Sequence, residues 1–525
     1  MRLSVLAVKL NLMQSIRKYT PFFTSALLMY VVLFIIYPHY QYYIDPDGVS
    51  YLTISKRYAA GDFQKAVNGY WSPWSCWLTA LLIKGGLDAI PASVIINTLG
   101  ATGFLFISQS FFLRFNIINK LQWLLNITLA LFLCYAIFGQ SFDDLWECFF
   151  LLATLRIMLV DNFAKKPALW VASGVIGALA YFAKAYSFPF FILNTLCCVY
   201  FICKDNKAQW LRISLTAITI MIICSMPWIM ALHNKYGIWT TSTAGSLNMS
   251  WYLVGHPHWK EGIDLLIPPA YPDSPYYWED PYFANGDIPH FWSSWPLFGR
   301  QLLKIIQNLY KLLVSMVQLS VFFPLITAVL IRFVSNKKAR VTTAPTFTVA
   351  ISFIIFPLGY LLINFEARYI WYMLPLGMLA GSLFIQNHLS GKSYSKILPW
   401  VFSIGFLIYP AWNMLKMHDE GVNENKIAEQ LKQMNIHGTF TSMAKPGIES
   451  QRMERLAYFS GNQFYSLSRL SFTEKDVLND MRRYHVKYFF VYGSKSREFN
   501  DEHGNPFPSK YIGGDKGIEV IFVNP

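Results

Sequence analysis

The feature that most restricts this chain is its succession of long, nearly uncharged apolar runs. A run of about 20 apolar residues has few stable homes other than a bilayer. Such runs stand near 22–37, 92–113, 121–139, 145–160, 168–186, 189–203 and 211–232, and again near 345–364, 369–386 and 397–415. Between the two groups, 300–333 reads as an interfacial helix running into a further span. Hydropathy windows of ~19 residues give about eleven crossings. Composition agrees: 54% of the 525 residues are hydrophobic and only 14% charged, whereas a soluble chain carries about a quarter. The expected class is an α-helical polytopic membrane protein. The net charge of +14 does not signal nucleic acid, because Lys and Arg recur in short stretches between apolar runs, as the positive-inside bias requires.

Charge also orients the chain. Arg2, Lys9, Arg17 and Lys18 place the N-terminus in the cytoplasm. No small-residue cleavage site precedes the first span, so that span is expected to remain as an anchor. The run Trp74–Ile83 is a topological fork, being shorter than the ~20 residues of a spanning helix. If it crossed, Arg114, Lys120, Lys165, Lys166, Lys337, Lys338 and Arg340 would all fall outside. Read as non-spanning, it leaves a first external loop over about 38–91 and a long external loop over about 233–300. Pro268, Pro269, Pro272, Pro275 and Pro281 forbid long helices in the latter. The division is thus a membrane module at 1–415 and a small soluble extracytoplasmic α/β domain at 416–525. In that domain Asn425–Met434 and Thr473–Tyr484 read as helices. Gly438–Ser442, Gln463–Leu467, Tyr488–Tyr492 and Glu519–Val523 read as strands. The cysteines keep to apolar runs and imply no disulfide framework.

Polar groups gather at the same membrane face. Ile44-Asp45-Pro46-Asp47-Gly48-Val49-Ser50-Tyr51 follows the first span, where interfacial tyrosines cluster. One reading of Asp47 is the N-cap of the helix that starts there, but capping does not call for a second acid at Asp45. Asp143 and Asp144 stand where two spans meet, with a solvated turn as the plain alternative. Lys184 is the only charge in Ala168–Cys203. A charge in a span is costly, less so near its end, and is by default functional; snorkelling to lipid phosphate is the alternative. Glu366 and Arg368, followed by Tyr369, begin another span at its external end. Two apart, they would not face each other on a helix, so each is expected to seek other partners. His256-Pro257-His258 offers two imidazoles without cysteine or a placed carboxylate, too little for a metal site.

Glycosyl transfer from a lipid-phosphate donor needs such a set. The acceptor hydroxyl loses a proton as it attacks the anomeric carbon, and a carboxylate is the usual base. The departing phosphate gains charge, which Lys and Arg stabilise. The chain accordingly resembles the GT-C superfamily of polytopic glycosyltransferases, in the branch of protein O-mannosyltransferases and the lipid A aminoarabinose transferase. Asp47 and Tyr51 match an Asp-Glu-x-x-Tyr-like stretch of the first external loop, with Gly48 where the family often has a second acid. Asp144-Leu145 resembles the family's second external acid, Lys184 through Pro189 its lysine near a span end, and Arg368-Tyr369 with Pro375 its Arg-Tyr pair. The resemblance implies a GT-C module, a polyprenyl-phosphate sugar donor, inversion, no cofactor and no catalytic metal. It assigns Asp47, Asp45 and Asp144 to catalysis, leaving open which of Asp45 and Asp47 is the base, with Asp47 favoured. Lys184 and Arg368 go to the donor phosphate, and Tyr51, Asp143, Glu366 and Tyr369 to substrate. The acceptor is a glycan, lipid or protein, and the setting a bacterial inner membrane with the site facing the periplasm. A polysaccharide ligase or polymerase, and a lipid-linked glycan flippase, are the other readings.

Overall fold

A computed structural model describes residues 17–139, 143–204, 206–254, 264–281, 290–336, 344–389, 396–444, 448–468, 471–492, 500, 504–513 and 517–523. His256 and His258 lie outside them. Among the described residues, seven helical stretches are long and apolar enough to cross a bilayer: Thr20–Tyr40 (α1), Ala89–Arg114, Asn119–Phe138, Lys207–Tyr236, Trp295–Leu319, Ala344–Leu362 and Leu398–Gln433, the last made of three helices, Leu398–Gly405, Ile408–Met417 and Val422–Gln433. Their outward faces stay greasy; Phe34 is 84% exposed and Ile35 65%, as a lipid-facing surface should be.

The expected eleven crossings are not reproduced at that length. The runs expected at 145–160, 168–186 and 189–203 are helices of 15, 17 and 16 residues at Asp144–Met158, Pro167–Ala183 and Ser187–Ile202. Local backbone features end them. Asn162 has φ 60° in the first connection, and Lys184 is extended (φ −157°, ψ 128°) in the second. Likewise 300–333 divides into Trp295–Leu319 and Phe323–Ser335, separated at Ser320, which is extended (φ −170°). The helix Trp74–Lys84 has 11 residues, about 16 Å at 1.5 Å per residue, too short to cross.

Helix α2, Pro46–Ala60, begins where α1 has ended. Asp45, not Asp47, is its N-cap: the Gly48 N–H donates to Asp45 Oδ1 at 2.8 Å. Pro46 at the first position suits a helix start, because its missing N–H would be unsatisfied anyway. Gly61 closes the helix in the left-handed conformation, φ 81°. Its buried Arg57 anchors the loop that follows helix Lys207–Tyr236. Arg57 Nε donates to Glu279, Nη1 to Asp273 Oδ2 at 2.9 Å, and Nη2 to Ser274 Oγ at 3.1 Å. Glu279 is itself buried. Removing one partner of a buried ion pair strands the other charge and costs about 3–5 kcal/mol. Glu279→Ala is therefore expected to lower the melting temperature of the purified protein sharply. A Tm within a degree or two of the parent would show that this pair does not hold the loop.

The C-terminal part forms a six-stranded sheet in the order β1-β3-β2-β4-β6-β5. The strands are Leu266–Ile267 (β1), Thr439–Ser442 (β2), Gln463–Leu467 (β3), Tyr488–Tyr492 (β4), Ser509–Ile512 (β5) and Ile518–Phe522 (β6). The β2 strand pairs in parallel with β3 and β4, and helices Ile448–Ser460 and Glu474–Arg483 make the crossovers. Phe440, Phe464 and Phe490 stack at its centre, with ring centroids 5.2 and 4.2 Å apart. The edge strand β1 comes from the long loop between spans, so the sheet is not built from the C-terminal segment alone.

Candidate active site

The start of α2 is held against the loop it faces. Ser50 Oγ donates to the Trp278 carbonyl at 3.1 Å, and Trp71 Nε1 donates to the same oxygen at 2.9 Å. Asn68 Nδ2 donates to the Glu279 carbonyl at 2.7 Å. These contacts turn Tyr70, Trp71, Trp251, Tyr276, Tyr277 and Trp278 toward a cavity of about 550 Å³. Its remaining walls carry Asp47, Tyr51, Asp143, Asp144, Lys184, Glu366, Arg368 and Tyr369. Residues far apart in sequence thus share one concave site, of a size that suits a small ligand.

Within it the charges interlock. Arg368 directs its three nitrogens to three carboxylates: Nη2 to Asp47 Oδ2 at 2.6 Å, Nε to Glu366 Oε2 at 2.9 Å, and Nη1 to Asp144 Oδ2 at 3.6 Å. The expectation that Glu366 and Arg368 would not meet is corrected. Glu366 is extended (φ −132°, ψ 152°) before a 3₁₀ turn at Ala367–Ile370, so helical spacing does not apply. Lys184 Nζ donates to Asp144 Oδ1, lies 3.7 Å from Glu147 Oε2, and sits 4.4 Å from the Tyr369 ring centre. Ser187 Oγ donates to Glu147 Oε1 at 3.1 Å. Asp144 therefore bridges the two cations. Its neighbour Asp143 accepts the Ser75 N–H at 3.2 Å, which fixes the start of the short helix Trp74–Lys84.

Burial pushes the Asp47 carboxyl above its ordinary range, against the opposing pull of Arg368. Burial also raises Asp45, with the Asp47 charge adding to it. Asp45 is absent from the cavity wall, and its side chain is spent on the cap. Asp45→Asn keeps a capping oxygen, so near-parental activity is expected, whereas Asp45→Ala should cost roughly 0.5–2 kcal/mol of stability. The raised carboxyl also sets a pH dependence. A group that binds its proton more tightly when folded contributes stability fully present below the unfolded value of about 3.9, and lost as pH rises through the raised value. Asp45→Asn should flatten that decline in a Tm-against-pH series. An identical slope in both proteins would remove Asp45 as its source.

Three residues on the cavity wall come from the C-terminal helix Ile448–Ser460: Ser450, Gln451 and Glu454. Glu454 is buried, its Oε2 has no hydrogen-bond partner among the described residues, and burial raises its carboxyl to about 8. Sequence reading missed it, because neither that helix nor its docking over α2 was anticipated. The aromatic wall was missed too, although the run Tyr276-Tyr277-Trp278 could have pointed to it.

No protein-family model and no curated protein matches this sequence. Similarity appears in three dimensions. The structure of ArnT from Cupriavidus metallidurans bound to undecaprenyl phosphate superposes with a TM-score of 0.55 at 11% identity, covering 95% of this chain and 98% of that one. The apo structure of the same protein gives 0.53 at 12% identity, covering 95% and 97%. Arabinofuranosyltransferase AftD from mycobacteria gives 0.49 at 12%, covering 96% of this chain and 40% of that one. The chain thus shares the fold of ArnT along nearly its whole length. The chain is an integral, multi-pass membrane protein.

Proposed function

We propose that this protein is an inverting membrane glycosyltransferase that moves a sugar from a polyprenyl-phosphate donor to an acceptor hydroxyl. The observation that carries the reading is the meeting of Asp47, Asp144, Lys184 and Arg368 in one aromatic-walled cavity. Full-length likeness to a fold that holds undecaprenyl phosphate in ArnT supports it.

In this mechanism Asp47 takes the acceptor proton as the acceptor oxygen bonds to the anomeric carbon. The bond from that carbon to the phosphate oxygen breaks on the opposite face, and the phosphate leaves with the electron pair. Lys184 and Arg368 bind the phosphate and neutralise the charge it gains. Asp144 holds both cations in place between turnovers. Tyr51, Asp143, Glu366 and Tyr369 shape the substrate pocket, and the aromatic rings offer apolar faces to the sugar. No step requires a metal or cofactor. The segment 416–525 acts as a soluble domain that roofs the cavity, and the basic connections between spans favour an inner-membrane protein with its site toward the periplasm.

The test is transfer by purified protein supplied with a panel of labelled polyprenyl-phosphate sugars. A labelled product made only by the active protein supports the reading. Movement of lipid across liposomes without any bond cleavage would instead make it a flippase.

A further inference from the structure

Away from the cavity, the C-terminal end of α1 meets the chain that leaves helix Ile408–Met417. His39 Nδ1 lies 3.0 Å from Asp419 Oδ1, and His418 Nδ1 lies 2.9 Å from Asp419 Oδ2. The donor atoms of the three residues all fall within 4.8 Å of one another. The two imidazoles are stacked, with centroids 4.5 Å apart and planes 23° from parallel. Both rings thus turn the same nitrogen toward one carboxylate.

The backbone is shaped to this arrangement. Asp419 takes φ 57°, which non-glycine residues rarely adopt, and its N–H donates to the His39 carbonyl at 3.0 Å. Gly421 takes φ 86°, and a Cβ there would stand 2.0 Å from the Tyr42 carbonyl oxygen. The turn at 418–421 is therefore wrapped closely around the end of α1. The side chains of His39, His418 and Asp419 are about half exposed, so an ion could reach them from solvent.

Two imidazole nitrogens and one carboxylate oxygen are a zinc donor set, with room for water to complete the coordination. Bonds of about 2.0–2.1 Å in tetrahedral geometry separate ligand atoms by about 3.3 Å; here each imidazole lies 2.9–3.0 Å from the carboxylate and no two of the three donor atoms are more than 4.8 Å apart. Softer thiolate metals and the hard oxygen-seeking cations fit this set less well. We propose that His39, His418 and Asp419 bind a zinc-class divalent cation that clips α1 to the entry of the C-terminal segment. The clip is structural and independent of the transfer reaction. Just beyond it in sequence, two separate ion pairs join the C-terminal segment to helix Ile448–Ser460: Arg455 Nη2 to Glu420 Oε1 at 2.8 Å, and Arg452 Nε to Glu424 Oε1 at 2.7 Å. Both arginines stand on the helix that carries Glu454.

The experiment uses full-length protein purified without a histidine tag and zinc chloride as the probe. Metal analysis after gel filtration is expected to show one zinc per chain, removed by EDTA with a fall in Tm that added zinc restores. His418→Ala and Asp419→Asn should retain no zinc, and their Tm should not respond to it. Diethyl pyrocarbonate footprinting of the unsubstituted protein keeps the test decisive should either variant fail to fold, because zinc should protect both His39 and His418. Absence of stoichiometric zinc, equal retention by both variants, or unchanged modification of the two histidines overturns the proposal.

Discussion

Asp47→Asn is expected to lower transfer by about 10²-fold or more while the protein still inserts and folds. Asparagine keeps the shape of the side chain and its bond from Arg368 Nη2, seen at 2.6 Å with Asp47, but it cannot take the acceptor proton. The N-cap is untouched, since that duty belongs to Asp45. The pH profile is the sharper readout. A base must be ionised to act, so kcat/KM should rise with pH through the raised Asp47 value, placing the acid limb above the ordinary carboxylate range. The groups facing it are Arg368, which opposes the shift, and Glu366 and Asp144, which add to it. Glu454, raised to about 8, borders the same cavity, so Glu454→Gln is the companion measurement. Asp47→Asn should abolish the limb, and Glu454→Gln should leave it. A fully active Asp47→Asn protein would end the assignment, and a dead Asp45→Asn protein beside it would move the role to Asp45.

The sequence carried some of this in its local patterns and could not carry the rest. The α-helical membrane class was legible because burial in lipid demands long uncharged runs. The strands Gln463–Leu467 and Tyr488–Tyr492 occur where alternation and β-rich composition placed them. Three helix bounds were legible too, Asp144–Met158, Pro167–Ala183 and Ser187–Ile202 falling within three residues of the expected runs, whereas the break at Ser320 depends on a single backbone torsion. The cap shows the same limit. Both acids of Asp45-Pro46-Asp47 could have capped α2, and only the position of Pro46 at the first helical residue decides for Asp45. Asp144, Lys184 and Arg368 could each be singled out as charges near span ends. Their direct pairing could not be foreseen, because it depends on an extended Glu366 and on helices packing residues hundreds of positions apart. Glu454 lay beyond reach for the same reason.

Arg368→Ala is expected to lower turnover per folded molecule by about 10²–10³-fold, the scale of losing one preorganised donor to a developing charge. The geometry also makes the conservative exchange informative. Arg368 meets Asp47, Glu366 and Asp144 through three different nitrogens, a fork that a single ammonium cannot reproduce. Arg368→Lys should therefore be nearly as impaired as the alanine variant despite its charge. Lys184 acts from one point, between Asp144 and Glu147 and over the Tyr369 ring, so Lys184→Arg should keep part of its activity. Removing Arg368 also leaves its carboxylates facing one another with Lys184 alone to offset them, and some loss of Tm must be separated from loss of chemistry. Turnover and Tm are thus read on the same preparation, together with binding of bare undecaprenyl phosphate. If Arg368 stabilises the leaving phosphate more than the bound donor, kcat falls further than lipid affinity does. If it serves only to hold three acids together, Tm falls, turnover per folded molecule is unchanged, and Arg368 leaves the site.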